Sequence, residues 1–400
     1  MNAFYASIEQ RMQPKLRKKP VAITNGDKGS CIITCSYEAR AYGVYTGMRL
    51  TEGLRICPGL IQCPSRPSLY ANISSQIMAT LKELTPDMEV FSVDEAFLDM
   101  THTHHGFPNP EALAQHISTR LWEQTQLPAS IGIGTDKTVA KYAAKYKKPK
   151  GITIIYPEQT AKVIGPLPVT ELCGVGRGIS VFLKRYGAHS CADVAKLPVQ
   201  ILAQRFGHAG RRIWLMCQGR DPDPVQVQVK APKSMGHGKV LPPGSKGREV
   251  AYKYLCRMAF KLSIRLQQHR LWTPIFRVSI KYHNYQYHSQ EFRLHKPCQD
   301  YAIFVKLIKQ AVTTMSVHNT IRQVHVYAPT LRERIQQDWL LAQQPATNKT
   351  QETIAKINKR FGAKSILPAR LYFQTSPEVI APAWKPDGAR NYIDTDERQA

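Results

Sequence analysis

Short β-prone runs alternate with helical segments through the first 165 residues, and this alternation limits the fold more than any other feature of the chain. Residues 20–68 carry the runs PVAIT and CIITC between turns that contain Gly and Pro, which predicts a small separate lobe. In residues 69–85 an apolar side chain recurs every three to four positions, which predicts a helix that ends before Pro86. Strands and helices are therefore mixed in this part of the chain.

The mixture continues around an acidic pair. Residues 90–100 place two β-prone runs on either side of Asp94 and Glu95, which predicts a hairpin. A helix at about 111–126, a strand in ASIGIGT, a Lys-rich helix at 136–147 and a strand in ITIIY follow. Together these segments predict an α+β layer with helices on one face of a mainly antiparallel sheet.

The rest of the chain predicts a helical region and then a second α+β unit. Residues after Gly165 are helical and punctuated by Gly up to about residue 220, and residues 221–239 have the Pro-, Gly- and Lys-rich composition of a linker. Helices are predicted at 249–269, 300–316 and 352–361, and strands at 275–293 and 321–327. A length of 400 residues fits two to four domains, each with its own core.

The chain is strongly basic. It has 55 Lys and Arg residues against 29 Asp and Glu, a formal net charge of +26, and this excess indicates a polyanionic partner, foremost nucleic acid.

The sequence has no apolar run near the roughly 20 residues that a membrane-spanning helix needs. Its nine cysteines form no CxxC pair, which is typical of reduced thiols, and the N-terminus carries no secretion signal. We therefore expect a cytoplasmic protein without a membrane partner.

The acidic pair and the lysines that follow it carry the first candidate chemistry. Magnesium prefers hard oxygen ligands, and two-metal phosphoryl transfer needs several converging carboxylates, although an isolated Asp-Glu turn is usually only solvated. Tyr37 and Arg40 in the small lobe, and the lysines of residues 137–150, suit a triphosphate, whereas a solvated helix face is the alternative for the lysines. These lysines are Lys137, Lys141, Lys145, Lys147, Lys148 and Lys150.

Two segments indicate contact with DNA. Residues 172–177 (LCGVGR) have the form of a helix-hairpin-helix turn, in which glycines allow backbone N–H groups to approach a phosphate. Residues 230–270 carry ten Lys and Arg side chains against a single acid, which is typical of a nucleic-acid surface. By contrast, His102, His104 and His105 have no partner Cys or second His pair at ligand spacing, so a loop position is predicted for them instead of a zinc site.

At six ordered stretches the chain resembles the Y-family, or DinB/UmuC-type, lesion-bypass DNA polymerases. These stretches are NAFYASIE, SYEARAYGV, FSVDEAFLDM, SIGIGTDKTVAKYAAKYKKPKG, LCGVGRG and KSMGHGKVLP. Each stretch alone is weak evidence for the family, but the occurrence of all six in the family's order is specific to it. The resemblance implies a multidomain α+β right-hand fold with a ferredoxin-like palm, small fingers, a helix-hairpin-helix thumb and an α+β little finger. The implied boundaries are palm 1–19 and 69–165, fingers 20–68, thumb 166–232, little finger 233–330 and C-terminal tail 331–400.

The resemblance also implies a reaction and the residues that perform it. Such polymerases add deoxynucleotides to a primer on template DNA by phosphoryl transfer with two Mg²⁺ ions. By position, Asp94, Glu95 and the backbone carbonyl of Met1 would hold the ions, with Glu95 near the primer 3'-hydroxyl. Tyr5 would be the steric gate that rejects a ribose 2'-hydroxyl. Further residues implied for the nucleotide are Phe4, Tyr37, Arg40 and Lys148, and those for DNA are Gly174, Gly176, Arg177 and Lys239.

The first palm strand is the main departure from the family pattern. In the family, an aspartate that ligates both ions precedes the residue equivalent to Met1, and here no residue stands before it. Because residues 2–10 are already aromatic and apolar, we expect a segment to precede them in the complete protein. We also expect the chain as given to bind DNA but to polymerise poorly.

Two alternative functions are open on the sequence. A non-catalytic DNA-binding remnant of such a polymerase follows if the natural protein lacks the first metal-binding aspartate. A helix-hairpin-helix nuclease or glycosylase would need a catalytic Lys or Asp soon after the turn, and residues 177–179 supply none. For the polymerase, the small side chains of Ala3, Ala39 and Ala41 imply weak steric checking of the base pair and hence low fidelity.

A loose clamp-binding motif follows the little finger. Gln337, Leu340 and Leu341 resemble the Gln-x-x-Leu-Phe peptide with which bacterial relatives bind a sliding clamp, and an amphipathic turn is an equal alternative. The predicted partners are therefore primer-template DNA, deoxynucleoside triphosphates and a sliding clamp. The predicted state is a monomer.

Overall fold

The structure is a computed structural model that describes residues 1–25, 31–228, 231–242, 244–315, 319–333, 349–361 and 365–372. Contacts divide these residues into two units, which we call unit 1 (the described part of Met1–Val229) and unit 2 (the described part of Lys230–Ser376). Each unit has hydrophobic core residues of its own. The two units are therefore described separately.

The small lobe of unit 1 forms where β-prone runs predict it. Helix α1 (Phe4–Met12) precedes the lobe, which contains β1 (Val21–Thr24), β2 (Ile32–Cys35), α2 (Tyr37–Ala41), α3 (Leu50–Ile56) and β3 (Ile61–Pro64). The strand order is β2-β1-β3, with β1 antiparallel to β2 and parallel to β3. Every residue of β1 is buried, because this strand lies in the middle of the sheet and is covered on both faces.

A hairpin and a β-α-β unit follow the lobe. Their elements are α4 (Pro67–Lys82), β4 (Met88–Val90), β5 (Ala96–Leu98), α5 (Pro110–Thr125), β6 (Ile131–Ile133), α6 (Lys137–Tyr146) and β7 (Ile152–Ile154). Strands β4 and β5 pair antiparallel as predicted, whereas β6 and β7 pair in parallel. The prediction of a mainly antiparallel sheet is therefore wrong for β6 and β7. A parallel pair needs a long crossover connection, and α6 supplies it.

Glycines of the ASIGIGT run allow α6 to lie directly against β6. A Cβ atom on Gly132 would lie 2.1 Å from the backbone nitrogen of Ala144 and 2.2 Å from the carbonyl oxygen of Ala140. Any side chain at this position would collide with the helix backbone. On the helix, Val139 and Ala143 are buried. This packing fixes α6, and with it the direction of its lysines.

Helices make up the remainder of unit 1 as described. They are α7 (Pro157–Ile164), α8 (Arg177–Lys184), α9 (Cys191–Lys196) and α10 (Val199–Met216). Leu183 of α8, Leu202 of α10 and Val139 of α6 belong to one hydrophobic cluster. The helical region predicted after Gly165 therefore shares a core with α6.

Unit 2 has the second α+β arrangement that the sequence predicts. Its elements are β8 (Met235–Val240), α11 (Arg248–Gln268), β9 (Leu271–Tyr282), β10 (Tyr287–Cys298), α12 (Tyr301–Thr313), β11 (Ile321–Ala328), β12 (Arg332–Glu333), α13 (Lys349–Phe361) and α14 (Ala369–Tyr372). The strand order is β10-β9-β11-β8, antiparallel throughout, and β12 pairs with β9. Apolar residues of α11 and α12 pack on this sheet, and Phe304 stacks on Phe276 with ring centroids 4.5 Å apart.

The linker predicted at 221–239 is shorter than its composition suggests, because β8 begins at Met235. Two glycines that favoured a linker face β11. A Cβ atom on Gly236 would lie 2.7 Å from the ring of Tyr327, and one on Gly238 would lie 2.1 Å from the ring of His325. These glycines make room for large side chains of the neighbouring strand, a role that composition alone cannot reveal.

After Glu333, the described residues form α13 and α14. The helix predicted at 352–361 is present as α13, which begins three residues earlier, at Lys349. The predicted clamp-binding residues Gln337, Leu340 and Leu341 lie outside the described residues. None of the helices in the described ranges is both long and apolar enough to cross a lipid bilayer.

Candidate active site

Asp94 and Glu95 lie at the tip of the hairpin formed by β4 and β5. Two backbone hydrogen bonds close the turn, in which the amides of Phe91 and Ser92 donate to the carbonyl of Glu95. The hydroxyl oxygen of Ser92 lies 3.1 Å from Oδ1 of Asp94 and 3.3 Å from Oε2 of Glu95. The two carboxylates therefore converge on one point, although neighbouring strand residues usually point to opposite faces.

Two lysines of α6 reach this hairpin. Nζ of Lys141 lies 2.9 Å from Oε2 of Glu95 and 4.3 Å from the centre of the Phe91 ring. Nζ of Lys137 lies 2.9 Å from Oε2 of Glu89, on β4. The alternative of a solvated helix face is therefore wrong for these two lysines, which hold acids of the hairpin.

Lys141 favours the ionised form of Glu95. Burial of the Glu95 carboxyl group opposes its ionisation, but the charge and the hydrogen bond of Lys141 outweigh burial and lower the pKa of Glu95. The charge of Lys148 acts in the same direction. Glu95 is therefore an anion at neutral pH and has the charge that a metal ligand needs.

A cleft of about 240 Å³ opens beside the acidic tip. Its lining residues are Met1, Ala3, Phe4, Tyr5, Ile33, Thr34, Tyr37, Arg40, Val93, Asp94 and Lys148. Every residue that the resemblance implies for the metal or the nucleotide lines this cleft except Glu95, whose carboxylate contacts Lys141. Of the six lysines at 137–150 that suit a triphosphate, Lys148 alone lines it. The structure thus brings together side chains from α1, the small lobe, the hairpin and the segment after α6.

Tyr37 and Arg40 reach the cleft from the short helix α2. Ser36 caps this helix, because its hydroxyl oxygen accepts a hydrogen bond from the amide of Ala39. The guanidinium of Arg40 lies 4.9 Å from the centre of the Tyr37 ring. The hydroxyl of Tyr37 is buried and has no hydrogen-bond partner among the described residues. A buried hydroxyl without a partner is costly, so this group suits a polar ligand in the cleft.

Asn2 joins three parts of the site and was not predicted. Its Nδ2 donates to the hydroxyl of Ser130 at 2.9 Å, and its Oδ1 accepts from the backbone amide of Lys150 at 3.0 Å. Its own backbone amide donates to the carbonyl of Pro128. Asn2 therefore ties the start of the chain to the turn that carries Lys148. Its burial, at 1% exposure, has no signature in a local sequence pattern.

Tyr5 lies between the cleft and a second tyrosine. Its ring stacks on the ring of Tyr70 in α4, with centroids 4.5 Å apart and planes inclined by 21°. The ring of Phe4 lies 5.6 Å away. Tyr5 is only 9% exposed, so its ring is held as part of the cleft wall. Tyr70 was not among the predicted site residues.

The hairpin tip fits a divalent cation by its donor chemistry. Carboxylate oxygens are the ligands that Mg²⁺ prefers, and both acids of the tip share one hydroxyl neighbour. The backbone nitrogen of Met1 lies 2.7 Å from the carbonyl oxygen of Asp94, so Met1 is adjacent to the acids. In the part of the chain that the structure describes, no group of three or more His, Cys, Asp or Glu residues could hold a metal ion. The tip itself therefore offers two carboxylates.

His102, His104 and His105 lie in the connection between β5 and α5, as predicted. A 3-10 turn spans His104–Gly106. The rings of His104 and His105 lie 4.0 Å apart, and Nδ1 of His104 lies 3.0 Å from the carbonyl oxygen of Met100. Their contacts are with each other and with the backbone.

The predicted helix-hairpin-helix turn leads into α8. Gly174 has a positive φ of 89°, Gly176 is the N-cap residue and Arg177 is the first residue of the helix. Leu172 and Val175 are buried and anchor the turn, while both glycines are exposed. Exposed backbone amides at a helix start suit a phosphate oxygen.

Lys239 lies on β8, in unit 2. Its Nζ lies 5.7 Å from the centre of the Tyr254 ring. Burial first, and then the charges of Arg257 and Lys261, lower the pKa of Lys239. Several cations on α11 and β8 thus lie close together, which suits a polyanionic partner.

Three protein-family models together match most of the chain. The model described as the impB/mucB/samB family matches residues 1–145, and that of the C-terminal domain of the same family matches residues 232–339. The model described as the thumb domain of DNA polymerase-iota matches residues 170–221.

Curated relatives and a solved structure agree with these matches. The protein named DNA polymerase IV 1 of Bacillus subtilis is 32% identical over 374 residues, which cover 92% of this chain and 90% of the relative. DNA polymerase IV 1 of Halalkalibacterium halodurans is 30% identical over 380 residues, covering 90% and 89%. A Y-family DNA polymerase chimera, Dbh-Dpo4(243-245)-Dbh, has the same fold, with a TM-score of 0.71, 24% identity and coverage of 83% of this chain and 98% of that one.

Proposed function

The chain belongs to the impB/mucB/samB family of DinB-type Y-family DNA polymerases, and we propose that it is a low-fidelity, template-directed DNA polymerase that acts in translesion synthesis. The observation that carries the proposal is the presence of Asp94, Arg40 and Lys148 in one cleft. Nucleotidyl transfer needs carboxylates for divalent metal ions and cations for a triphosphate, and this cleft supplies both.

The reaction is the in-line attack of a primer 3'-hydroxyl on the α-phosphorus of a deoxynucleoside triphosphate. It forms a phosphodiester bond and releases pyrophosphate. Polymerases of this family use divalent metal ions, and we assign two Mg²⁺ ions to Asp94, Glu95 and the backbone carbonyl of Met1. Bound magnesium would activate the hydroxyl and neutralise the leaving pyrophosphate. Glu95 would lie nearest to the 3'-hydroxyl.

The incoming nucleotide would occupy the cleft. Arg40 and Lys148 would balance the charge of its triphosphate, and the Tyr37 hydroxyl would donate to a phosphate oxygen. Phe4 and Tyr5 would face the sugar. The Tyr5 ring would leave no space for a 2'-hydroxyl and so would reject ribonucleotides.

We propose the right-hand domains of the family for this chain. The palm would comprise residues 1–19 and 69–165, with fingers 20–68, thumb 166–232, little finger 233–330 and a tail 331–400. The separate matches of three family models, to 1–145, 170–221 and 232–339, support this division. Gly174, Gly176 and Arg177 in the thumb, and Lys239 in the little finger, would contact DNA phosphates.

We further propose a cytoplasmic monomer that binds a sliding clamp through Gln337, Leu340 and Leu341. The pattern supports this because apolar anchors after the little finger suit a hydrophobic groove of a partner. A peptide of residues 334–344 should bind the clamp, and the same peptide with alanine at these three positions should not. Equal binding by both peptides would contradict the assignment.

Primer extension tests the polymerase proposal. The 400-residue chain is compared with a variant in which an apolar strand ending in aspartate precedes Met1, because the hairpin tip supplies only two carboxylates. Both proteins are assayed with Mg²⁺ on an undamaged template and on one that contains an abasic site. We expect the longer variant to extend past the abasic site with frequent misincorporation. An accurate, processive product that stops at the lesion, or DNA binding without extension by this variant, would contradict the proposal.

A further inference from the structure

Glu9 is a buried carboxylate that the proposed reaction does not use. It lies on α1, one turn after Tyr5, and is 1% exposed. Nε of Arg66 donates to Oε1 of Glu9 at 2.9 Å, and Nη2 of Arg66 forms an ion pair with Oε2. The side-chain amide of Gln13 donates to Oε2 at 3.1 Å. A buried carboxylate destabilises the fold unless hydrogen bonds and an opposite charge compensate it. The partners of Glu9 must therefore keep their positions around it.

The same carboxylate holds the tyrosine beneath the cleft wall. The hydroxyl of Tyr70 donates to Oε1 of Glu9 at 2.6 Å. Tyr70 is completely buried, and its ring is the one on which Tyr5 stacks at 4.5 Å. A continuous chain of contacts therefore runs from Arg66 through Glu9 and Tyr70 to Tyr5.

Helical spacing explains why these four residues meet. Tyr5 and Glu9 are four residues apart on α1, and Arg66 and Tyr70 are four residues apart at the start of α4, so each pair lies on one helix face. The Glu9–Arg66 ion pair and the Tyr5–Tyr70 ring stack thus join α1 to the start of α4 one helical turn apart. Arg66 is also the residue that leads from the small lobe into α4. A movement at this junction would reach Tyr5 through three contacts: Arg66 with Glu9, Glu9 with Tyr70, and Tyr70 with Tyr5.

We propose that Glu9 and Arg66 are positioning residues that set how strictly Tyr5 excludes ribonucleotides. This inference rests on the proposed function, in which Tyr5 faces the sugar of the incoming nucleotide. Neither Glu9 nor Arg66 lines the cleft, and the side-chain contacts that join them to Tyr5 run through Tyr70. An ion pair that only joined α1 to α4 would affect stability and leave the choice of sugar unchanged.

Three variants separate these two roles. Glu9→Gln keeps the size of the side chain and removes the charge that Arg66 and Tyr70 share. Tyr70→Phe keeps the stacked ring and removes only its hydrogen bond to Glu9. The matched control is Glu83→Gln, which breaks an ion pair with Arg120 at 2.7 Å in the same unit without touching either tyrosine.

Nucleotide binding without chemistry provides the measurement. Each protein is bound to a primer-template that ends in a dideoxynucleotide and presents a templating dG, and the affinities for dCTP and CTP are measured by fluorescence titration. We expect the ratio of dCTP to CTP affinity to fall about tenfold in Glu9→Gln, which removes the charge that pairs with Arg66, and about threefold in Tyr70→Phe, which removes one hydrogen bond to that charge. The dCTP affinity itself should change less than twofold, and Glu83→Gln should keep the full ratio.

The outcomes distinguish this inference from the proposed function. If the unaltered chain binds dCTP more tightly than CTP and both variants keep that ratio, the inference is overturned and the polymerase assignment stands. If the unaltered chain binds neither nucleotide, both are overturned. If a thermal melt shows that Glu9→Gln does not fold, the ratio measured for Tyr70→Phe decides between the two roles. This variant removes only the hydroxyl and keeps the ring that packs on Tyr5. Loss of the ratio in Glu83→Gln as well would show a general effect of stability and would also overturn the inference.

Discussion

The ammonium group of Lys141 lies 2.9 Å from the carboxylate of Glu95, across the gap between α6 and the hairpin tip. The side chains are 29% and 39% exposed, so water screens the pair only in part. The charge and the hydrogen bond of Lys141 favour the ionised form of Glu95 and lower its pKa against the effect of burial. It also occupies one side of a carboxylate that a divalent cation would use. Lys141 is therefore expected to compete with metal binding.

Replacing Lys141 with Met should raise the affinity of the chain for Mn²⁺ at pH 7.5. The expected gain is roughly fivefold, because a partly screened charge contributes on the order of 1 kcal/mol. Titration calorimetry measures it. The control is Lys145→Met, since Lys145 pairs with Glu171, away from the tip. Weaker Mn²⁺ binding by Lys141→Met would show that the lysine orients the ligand instead of competing for it.

Asp94→Asn should abolish primer extension while DNA affinity stays within about twofold. The amide cannot supply the charge that a divalent ion requires, and losses on the order of a thousandfold are typical when a charge-stabilising group is removed. Extension is measured with the variant that carries the added aspartate. Asp99→Asn is the matched control, because Asp99 lies at the other end of the same hairpin and bonds to Thr101. Retained extension by Asp94→Asn would remove Asp94 from the metal site.

Lys148→Met should raise the KM for each deoxynucleoside triphosphate about tenfold and change kcat less. Lys148 lines the cleft, and its charge is assigned to the ground-state binding of the triphosphate. Steady-state single-nucleotide insertion measures both constants. Lys147→Met is the control, since Lys147 is exposed and does not line the cleft. Equal KM values for the two variants would contradict the assignment.

Gly132→Ala should destabilise unit 1 by about 3 kcal/mol or more. The added Cβ would lie 2.1 Å from a backbone atom of α6, so helix and strand must separate. Urea unfolding followed by circular dichroism measures the loss. Gly59→Ala is the control, because a Cβ at Gly59 has no neighbour within 4 Å. A change below about 0.5 kcal/mol in Gly132→Ala would mean that α6 does not lie directly against β6.

The stability of unit 2 should fall as the pH drops below about 6.5. Burial of His237, and then the charges of Arg265 and Lys261, lower its pKa well below the usual value, and its Nε2 lies 3.2 Å from Nη1 of Arg265. Below about pH 6.5 the unfolded chain binds a proton that folded His237 does not, which costs up to about 1.4 kcal/mol per pH unit. The contribution of neutral His237 to the stability of unit 2 is complete above the pKa of His237 in the unfolded chain. It is lost as the pH falls from that value toward the lower pKa of His237 in the folded chain.

His237→Gln should reduce this pH dependence without removing it. A remainder is expected because burial also lowers the pKa of His269 and of His325. Hydrogen exchange of the β8 amides between pH 7.5 and 5.5 measures the local stability. His283→Gln, at an exposed position of the same unit, should leave the slope unchanged. An unaltered slope in His237→Gln would show that His237 is not the group that titrates.

Most elements of the fold were predictable because their signals are local. The helix predicted at 111–126 is α5 (Pro110–Thr125), and the hairpin predicted at 90–100 contains β5 and the acidic turn. Apolar periodicity and the turn residues report on neighbours within a few positions, and these elements depend on such neighbours. The family resemblance, now confirmed by the family models and relatives, rested on ordered motifs of the same local kind.

Errors arose where a residue's role depends on a distant neighbour. Gly236 and Gly238 suggested a linker, yet they lie in β8 and make room for Tyr327 and His325 of the neighbouring strand β11. The parallel pairing of β6 and β7 depends on how α6 packs, which the alternation of short runs does not encode. The solvated face that was the alternative for the α6 lysines is wrong for Lys137 and Lys141, whose acidic partners Glu89 and Glu95 are far away in sequence.

By itself, the sequence determined the order of helices and strands, the basic charge and the family of this chain. Only the tertiary structure decided which of these residues meet. Lys141 and Glu95 are separated by 46 positions, Glu9 and Arg66 by 57, and Asn2 and Lys150 by 148. The physical reason is that secondary structure follows from near-neighbour sterics and hydrogen bonds, whereas a buried charge or stacked ring finds its partner only when separate elements pack together.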